Sequence, residues 1–156
     1  MNKILTHDYA YTLLDLIRHT SKSIDILAYV AKFNMTKKSD KALLIFLALK
    51  SFPGSPNDIR IILDYPRPYK PNYHSNLFST RRFKEANFNV RYLHSGLTQH
   101  AKLIILDRSV ALLGSHNLTT KSVINPYDIS LLLDVPDLLS SLVSYFDRLW
   151  ELSTEA

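Results

Sequence analysis

The stretch QHAKLIILD, residues 99–107, decides the fold because a polar opening runs directly into an apolar strand. His100 and Lys102 are two positions apart, and side chains alternate along a strand, so both side chains are expected on one face. The apolar residues after Lys102 predict a strand buried in the middle of a sheet. A His and a Lys that lie side by side are costly to bury without partners, so the pair is a candidate for chemistry.

A second polar motif, GSHN at residues 114–117, follows the strand predicted for Val110–Leu113. This strand is the expected hairpin partner of Lys102–Leu106, which would bring the two motifs side by side. The hydroxyl of Ser115 and the amide of Asn117 can hydrogen-bond an anionic oxygen. The two motifs together therefore predict one anion-binding site.

The rest of the chain alternates between helical and strand patterns. Helices are predicted at Asp8–Thr20, with Thr6 or Asp8 as the cap, and at Ser39–Phe52, His74–Ala86 and Pro136–Leu152. Further strands are predicted at Ser23–Val30, Asp58–Leu63, Asn89–Leu93 and Asp128–Asp134. This order predicts an α/β fold in which a mixed sheet is flanked by helices on both faces. A length of 156 residues is that of a single domain, here residues 1–156.

Composition narrows the functional classes. Apolar residues make up 46% of the chain and charged residues 21%, which is ordinary for a globular domain. The net charge of +5 favours a polyanionic partner, and the lack of cysteine excludes disulfides and thiolate metal sites. The N-terminus has no apolar core of a signal peptide, and the longest apolar run, Ala42–Leu49, is too short to span a membrane. A cytoplasmic protein with no membrane partner is expected.

The combined pattern, H-x-K-x4-D-x6-G-S-x-N, resembles the signature of the phospholipase D superfamily. Six fixed positions would recur by chance in a chain this long with a probability on the order of one in a million. Ser23–Val30 and Asp58–Leu63 match the first and second core strands of that family. The resemblance covers nearly the whole chain and implies a phospholipase D-like layered domain, similar to the short single-motif endonucleases of the superfamily.

The resemblance implies a role for each motif residue. His100 would attack phosphorus and form a phosphohistidine, since an imidazole is largely neutral and nucleophilic near pH 7. Lys102 and Asn117 would hold the non-bridging phosphate oxygens, and Ser115 would support them. Asp128 would accept a hydrogen bond from the far imidazole nitrogen, although many members of the family carry Glu there. No metal and no cofactor are implied, because the cationic groups take the place of a metal ion.

Asp107 also belongs to the motif, but it follows the end of its strand. A structural role in the hairpin turn is therefore expected for its side chain rather than a role in the chemistry.

The mechanism of the family uses two motif histidines, one as nucleophile and one as general acid, but this chain has only one His-x-Lys pair. The histidines without the accompanying Lys are His7, His19, His74, His94 and His116. The simplest solution is a homodimer, in which a two-fold axis brings two copies of His100 into one composite site.

Three features favour nucleic acid, most readily DNA, with RNA as an alternative. The first is the net charge, and the second is the proline-rich loop Tyr65–Tyr73, where cations alternate with aromatic rings. The third is a basic stretch on the next predicted helix. The candidate substrate-binding residues are Arg67, Tyr69, Lys70, Arg81 and Arg82. Surface packing and a solvated helix face are alternative explanations of these two segments.

Two other functions stay open on the sequence. One is a phospholipid phosphodiesterase or phosphatidyltransferase, which would usually carry two motifs in one chain. The other is a non-catalytic nucleic-acid-binding subunit of a larger assembly. The non-catalytic alternative is less favoured because all four motif residues of the candidate site are present. They are His100, Lys102, Ser115 and Asn117.

Overall fold

The computed structural model describes residues 2–156, and its largest element is an eight-stranded mixed sheet. The helices are α1 (Tyr9–His19), α2 (Lys41–Lys50), α3 (Tyr73–Glu85) and α4 (Pro136–Leu152). The strands are β1 (Lys3–Leu5), β2 (Ile24–Ala28), β3 (Ala31–Lys32), β4 (Ile59–Asp64), β5 (Asn89–Leu93), β6 (Lys102–Leu106), β7 (Val110–Gly114), β8 (Leu118–Thr119), β9 (Ser130–Leu133) and β10 (Thr154–Glu155). The main sheet has the order β1-β9-β7-β6-β2-β4-β5-β10, and β3 pairs with β8 separately. No helix within residues 2–156 is long and apolar enough to cross a bilayer.

Strand β2 is the junction of the sheet. It runs parallel to β4, with Ile26 opposite Ile61, and antiparallel to β6, with Ile26 opposite Ile104. The carboxyl ends of β2 and β4 therefore meet the amino end of β6 at one edge. Every residue of β2 and β6 is buried, as expected for strands covered on both faces.

Helices cover the sheet on both sides. The larger core contains buried side chains of α1, α2 and α3, including Leu13, Phe46 and Phe83. The smaller core, on the other face, is formed with Phe146 and Trp150 of α4. The predicted α/β class with a mixed sheet between helical layers is thus confirmed.

Several local predictions differ from the structure. The short strands β1, β3, β8 and β10 carry too few residues for a periodic pattern, and they were not predicted. Asp8 stands at the N-cap of α1, but its carboxylate does not bond the helix. It accepts hydrogen bonds from the backbone N–H of Thr6 at 2.9 Å and from Lys3 Nζ at 2.7 Å. Asp8 therefore occupies the predicted N-cap position but does not cap the helix through its side chain. Its carboxylate is bonded to residues that precede the helix.

The hairpin between β6 and β7 turns at Asp107 and Arg108, which have φ angles of 52° and 53°. Two left-handed residues are typical of the tight turns that join twisted strands. The carboxylate of Asp107 accepts hydrogen bonds from the backbone N–H groups of Ser21, Lys22 and Ser23 at 3.1, 2.7 and 3.0 Å. Asp107 therefore fastens the turn to the start of β2, at the end of β6 opposite Lys102. The structural role expected for this residue is the one observed.

Replacement of Asp107 by alanine is expected to lower the free energy of unfolding by about 2 kcal/mol near pH 7, since three backbone donors lose a charged acceptor. Burial acts to raise the pKa of Asp107, but the three N–H groups outweigh it and lower the pKa. The stabilisation is therefore present above the unfolded pKa near ~3.9 and is lost as the pH falls through the lower folded value. Urea unfolding of both proteins at pH 7 and pH 3 checks this, and a difference that grows towards pH 3 would contradict it.

Candidate active site

The two motif residues meet at the edge where β2, β4 and β6 come together. His100 is exposed in the loop before β6, and Lys102 is the first residue of β6, only 8% exposed. The Nζ atom of Lys102 lies 2.9 Å from Nδ1 and 3.3 Å from Nε2 of His100, and it donates to the His100 carbonyl oxygen at 2.6 Å. The structure thus places the two side chains in direct contact.

The contact has a chemical consequence for the imidazole. An ammonium group offers only donors, so the contact places a cation within 3.3 Å of both ring nitrogens of His100. Burial lowers the pKa of Lys102, and the charge of Asp128 partly offsets that effect. The ring of Tyr29 lies 5.0 Å from the His100 ring and 5.9 Å from Lys102 Nζ, where its face stabilises the cation. The site holds an exposed imidazole beside a partly desolvated cation.

Gly114 brings the second motif against the first. It lies opposite Lys102 in the β6–β7 pair. A Cβ atom at Gly114 would lie 2.2 Å from the carbonyl oxygen of Ile129 and 2.4 Å from Cα of Ser130. The glycine is therefore needed for the close approach of the backbone before β9, and it places Ser115 beside the His-Lys pair.

Ser115 is held by Asp128. Its Oγ donates to Asp128 Oδ1 at 2.8 Å and accepts from the backbone N–H of Ile129 at 2.9 Å. The other carboxylate oxygen accepts from Ser122 Oγ at 2.8 Å and from Asn125 Nδ2 at 3.3 Å. Within residues 2–156 the His100 imidazole makes no hydrogen bond to Asp128, so the bond that the resemblance implied is not observed in one copy of the chain. Asp128 instead positions Ser115 and acts on Lys102 through its charge.

Asn117 lines the same edge. Its Oδ1 accepts from the backbone N–H of Val30 at 3.3 Å, and its own N–H donates to Ser122 Oγ at 2.8 Å. The Nδ2 donor has no partner among residues 2–156, so it remains available for an anionic oxygen.

His116, at the variable position of the second motif, belongs to the core. Its ring stacks on Tyr9 with centroids 4.1 Å apart. The ring nitrogens lie 2.8 Å from Ser130 Oγ and 3.1 Å from the carbonyl oxygen of Thr6. Burial lowers the pKa of His116, and Asp128 and nearby backbone groups partly offset this. This histidine fixes the motif to the start of the chain and does not serve as a second acid.

Sequence reasoning missed a buried support under the His100 loop. Asp64, the last residue of β4, is fully buried and accepts from the backbone N–H of Gln99 at 2.8 Å and from Asn72 Nδ2 at 3.0 Å. It therefore fixes the residue that precedes His100. Tyr29 and Asp64 both stand at the carboxyl ends of buried parallel strands, and this position was the signal that could have found them.

The loop of residues 65–72 lies beside the His100 loop. Lys70 Nζ lies 3.5 Å from Thr98 Oγ1, and Tyr69 is 78% exposed. Arg67 is only 9% exposed, and its Nη2 has no hydrogen-bond partner among residues 2–156. The loop thus presents Tyr69 and Lys70 to solvent near the site and keeps Arg67 beneath the surface.

The two arginines of α3 have different surroundings. Arg81 is exposed. Arg82 donates to Glu85 at 2.8 Å and lies 5.3 Å from the ring of Phe78, on the wall of a groove.

The site contains the groups needed to bind and attack a phosphate anion: an exposed imidazole, an adjacent ammonium, an amide donor and a hydroxyl. Within residues 2–156, no group of three or more His, Asp or Glu side chains is arranged to hold a metal ion.

Comparisons with known proteins agree with this geometry. The family model described as "Cardiolipin synthase, PLD-like domain" matches residues 13–150. The structure is similar to Nuc, a phospholipase D family member from Salmonella typhimurium, at 16% identity and a TM-score of 0.74, over 100% of this chain and 99% of that chain. It is similar to NucT from Helicobacter pylori at 19% identity and a TM-score of 0.73, over 100% and 99% of the two chains. No curated protein sequence matches the chain.

A third solved structure is longer than this chain. Phosphatidylserine synthase from Haemophilus influenzae matches at 19% identity and a TM-score of 0.68, over 99% of this chain but 39% of its own length. The fold is that of phospholipase D-like proteins, and residues 13–150 match the family model. The chain belongs to the family of phospholipase D-like domains.

Proposed function

We propose that this protein is a nuclease that cleaves phosphodiester bonds of nucleic acid, most readily DNA, through a covalent phosphohistidine at His100. The observation that carries the proposal is the exposed imidazole of His100 in contact, at 2.9 Å, with the buried ammonium of Lys102. An exposed nucleophile can reach a polymeric substrate, and the ammonium is placed for the phosphate oxygens.

The proposed reaction has two displacements. A ring nitrogen of His100 attacks phosphorus, the P–O bond to the leaving sugar breaks, and the departing oxygen takes a proton from a general acid. Water then attacks the phosphorus of the phosphohistidine and gives its proton to the group that acted as the general acid, and the P–N bond breaks. This frees the His100 imidazole and releases a phosphate monoester. Lys102 and Asn117 hold the non-bridging oxygens in both steps, and Asp128 keeps Ser115 in place beside them.

The general acid is the part that one copy does not supply. His100 is the single motif histidine, and His116 is engaged in the core by Tyr9, Ser130 and Thr6. We assign the acid to His100 of the partner subunit in a two-fold homodimer. The same pair then exchanges roles when the opposite subunit attacks.

Three observations support nucleic acid over lipid. The net charge is +5, and Tyr69 and Lys70 present an aromatic ring and a cation beside the site. The chain also matches Nuc and NucT over their full lengths, whereas it spans 39% of phosphatidylserine synthase. A lipid phosphodiesterase and a non-catalytic binding subunit are the alternatives that the experiment must separate.

The test incubates the purified protein in excess EDTA with end-labelled single-stranded DNA, duplex DNA, RNA and phospholipid vesicles. We expect cleavage of nucleic acid that survives EDTA and is absent from His100→Ala. Turnover of phospholipid alone would favour the lipid enzyme, and binding of DNA without cleavage would favour the non-catalytic subunit. Cleavage that stops in EDTA would show that a metal ion takes part and would contradict the proposed mechanism.

A further inference from the structure

A groove of about 830 Å³ lies between the β3–β8 pair and α3. This volume is typical of clefts that bind ligands. Cations, apolar groups and neutral polar groups line it. We call it the basic groove, and its main lining residues are Lys32, Phe33, Lys37, Phe78, Arg82 and Lys121.

The segments that line the basic groove follow closely in the chain on residues of the candidate site. β3 begins two residues after Tyr29, and β8 begins directly after Asn117. Pro71, on another wall, precedes Asn72, which bonds Asp64 beneath the His100 loop. A polymer bound at His100 that continued along this side of the molecule would therefore enter the groove.

The charge of the groove selects an anion. Lys32, Lys37 and Lys121 are all exposed, and none makes a side-chain hydrogen bond or an ion pair within residues 2–156. Arg82 adds a fourth cation, which is paired with Glu85 at 2.8 Å. No Asp or Glu is among the lining residues of the groove. The carboxylate of Asp40 lies buried beneath the groove, where it accepts from the backbone N–H of Asn34 and from Thr120 Oγ1. Three lysines without an ion pair along one cleft match the repeated charges of a phosphate backbone.

The apolar lining favours unpaired bases. Phe78 is half-buried with the Arg82 guanidinium 5.3 Å from its ring, and Met35 is 43% exposed. Phe33 lies beneath, its ring 5.9 Å from that of Phe78. Rings and guanidinium planes of this kind stack on bases of a single strand, whereas a duplex keeps its base faces inside.

We propose that the basic groove binds a single-stranded segment of nucleic acid that extends from the phosphate at His100. This inference rests on the proposed function and deepens it, because it names the form of the substrate and the surface that holds it. The lysines would contact successive phosphates, and the apolar lining would stack with the bases between them.

The test measures binding apart from cleavage. A fluorescent oligo(dT) of about a dozen nucleotides is titrated with His100→Ala and with that variant carrying Lys37→Ala and Lys121→Ala. We expect the double lysine change to weaken binding about tenfold and to lower the slope of log affinity against log salt by about 1.4, or ~0.7 for each lost phosphate contact. Binding of duplex DNA should change much less.

The matched control carries Lys22→Ala and Lys50→Ala, which remove the same charge from exposed lysines away from the site. Lys22 precedes β2, and Lys50 ends α2 close to the same end of the sheet. The inference is overturned if the control changes weaken oligo(dT) binding as much as Lys37→Ala with Lys121→Ala, or if those two changes leave oligo(dT) affinity as it was. It is also overturned if the two changes weaken duplex binding as much as single-strand binding, or if His100→Ala binds anionic vesicles and no oligo(dT).

The outcome is independent of catalysis. If the lysine changes weaken binding but the wild type cleaves no nucleic acid, the role of the groove in binding is supported and the proposed nuclease function is refuted. Cleavage that is unaffected by the lysine changes, with unchanged binding, would refute the groove and leave the nuclease.

Discussion

Replacement of His100 by alanine is expected to lower the rate of the proposed phosphodiester cleavage by at least about 10⁴-fold, because the site loses its exposed imidazole nucleophile. His100 is exposed, so its removal should change the free energy of unfolding by less than about 0.5 kcal/mol. The measurement is cleavage of labelled DNA together with a thermal unfolding curve. His19→Ala, which changes an exposed histidine at the end of α1, is the control and should retain wild-type activity.

The same variant tests the composite site. Wild-type and His100→Ala chains with different tags are refolded together in equal amounts so that mixed dimers form. If each site needs His100 from both subunits, activity falls to about a quarter of that of the all-wild-type sample, whereas independent sites would keep about half. A value near one half, or full activity from a strict monomer, would refute the shared site.

The second large effect is expected for Lys102→Met, which keeps the length of the side chain and removes its charge. Cleavage should fall about 10³-fold, because the non-bridging oxygens lose the cation that stabilises them in the transition state. Stability should rise by about 1 kcal/mol at pH 7, because a buried ammonium is replaced by an apolar group. Lys102 is 8% exposed, and its nearest partners are the ring and carbonyl of His100 rather than an anion.

The stability difference should depend on pH in one direction. Burial lowers the pKa of Lys102 below its ordinary value of 10.5. At a pH between the lowered folded-state pKa and the unfolded-state pKa of Lys102, the unfolded chain binds more protons than the folded chain, so the stability of the wild type rises with pH there. The difference in unfolding free energy by which Lys102→Met exceeds the wild type should therefore become smaller at alkaline pH. Near-wild-type cleavage by this variant, or an advantage that widens with pH, would contradict the role given to Lys102.

The central part of the fold was predictable because its sequence pattern is regular. The apolar run after Lys102 predicted β6 with the bounds observed, and the predicted hairpin partner became β7 with one added residue, Gly114. His100 and Lys102 are in contact as expected, although His100 lies in the loop before β6, and the hairpin pairs Lys102 with Gly114, the residue before Ser115. These inferences hold because each depends only on neighbours within about fifteen positions of the chain.

The supporting contacts could not be predicted because they join distant segments. Tyr29 and Asp64 reach the His100 loop from two other parts of the chain, and Asn72 bonds Asp64 from a third. A single sequence gives no register between these segments. The position of Asp128 was anticipated, but its partners were not. A carboxylate is satisfied by whichever donors the loop supplies, and here those donors are Ser115, Ser122 and Asn125.

The strand pairings also set the order in which the molecule can assemble. β2 pairs with β6, where Ile24 lies opposite Leu106, and β1 pairs with β9, where Lys3 lies opposite Leu132. Both pairings join residues that are far apart in the chain. Such distant pairings carry a large loop-closure entropy and slow folding. During synthesis on the ribosome, β1 has no partner until β9 emerges, and one edge of β2 has no partner until β6 emerges. Asp128, which holds Ser115, lies just before β9, so the candidate site is complete only after nearly the whole domain has been synthesised.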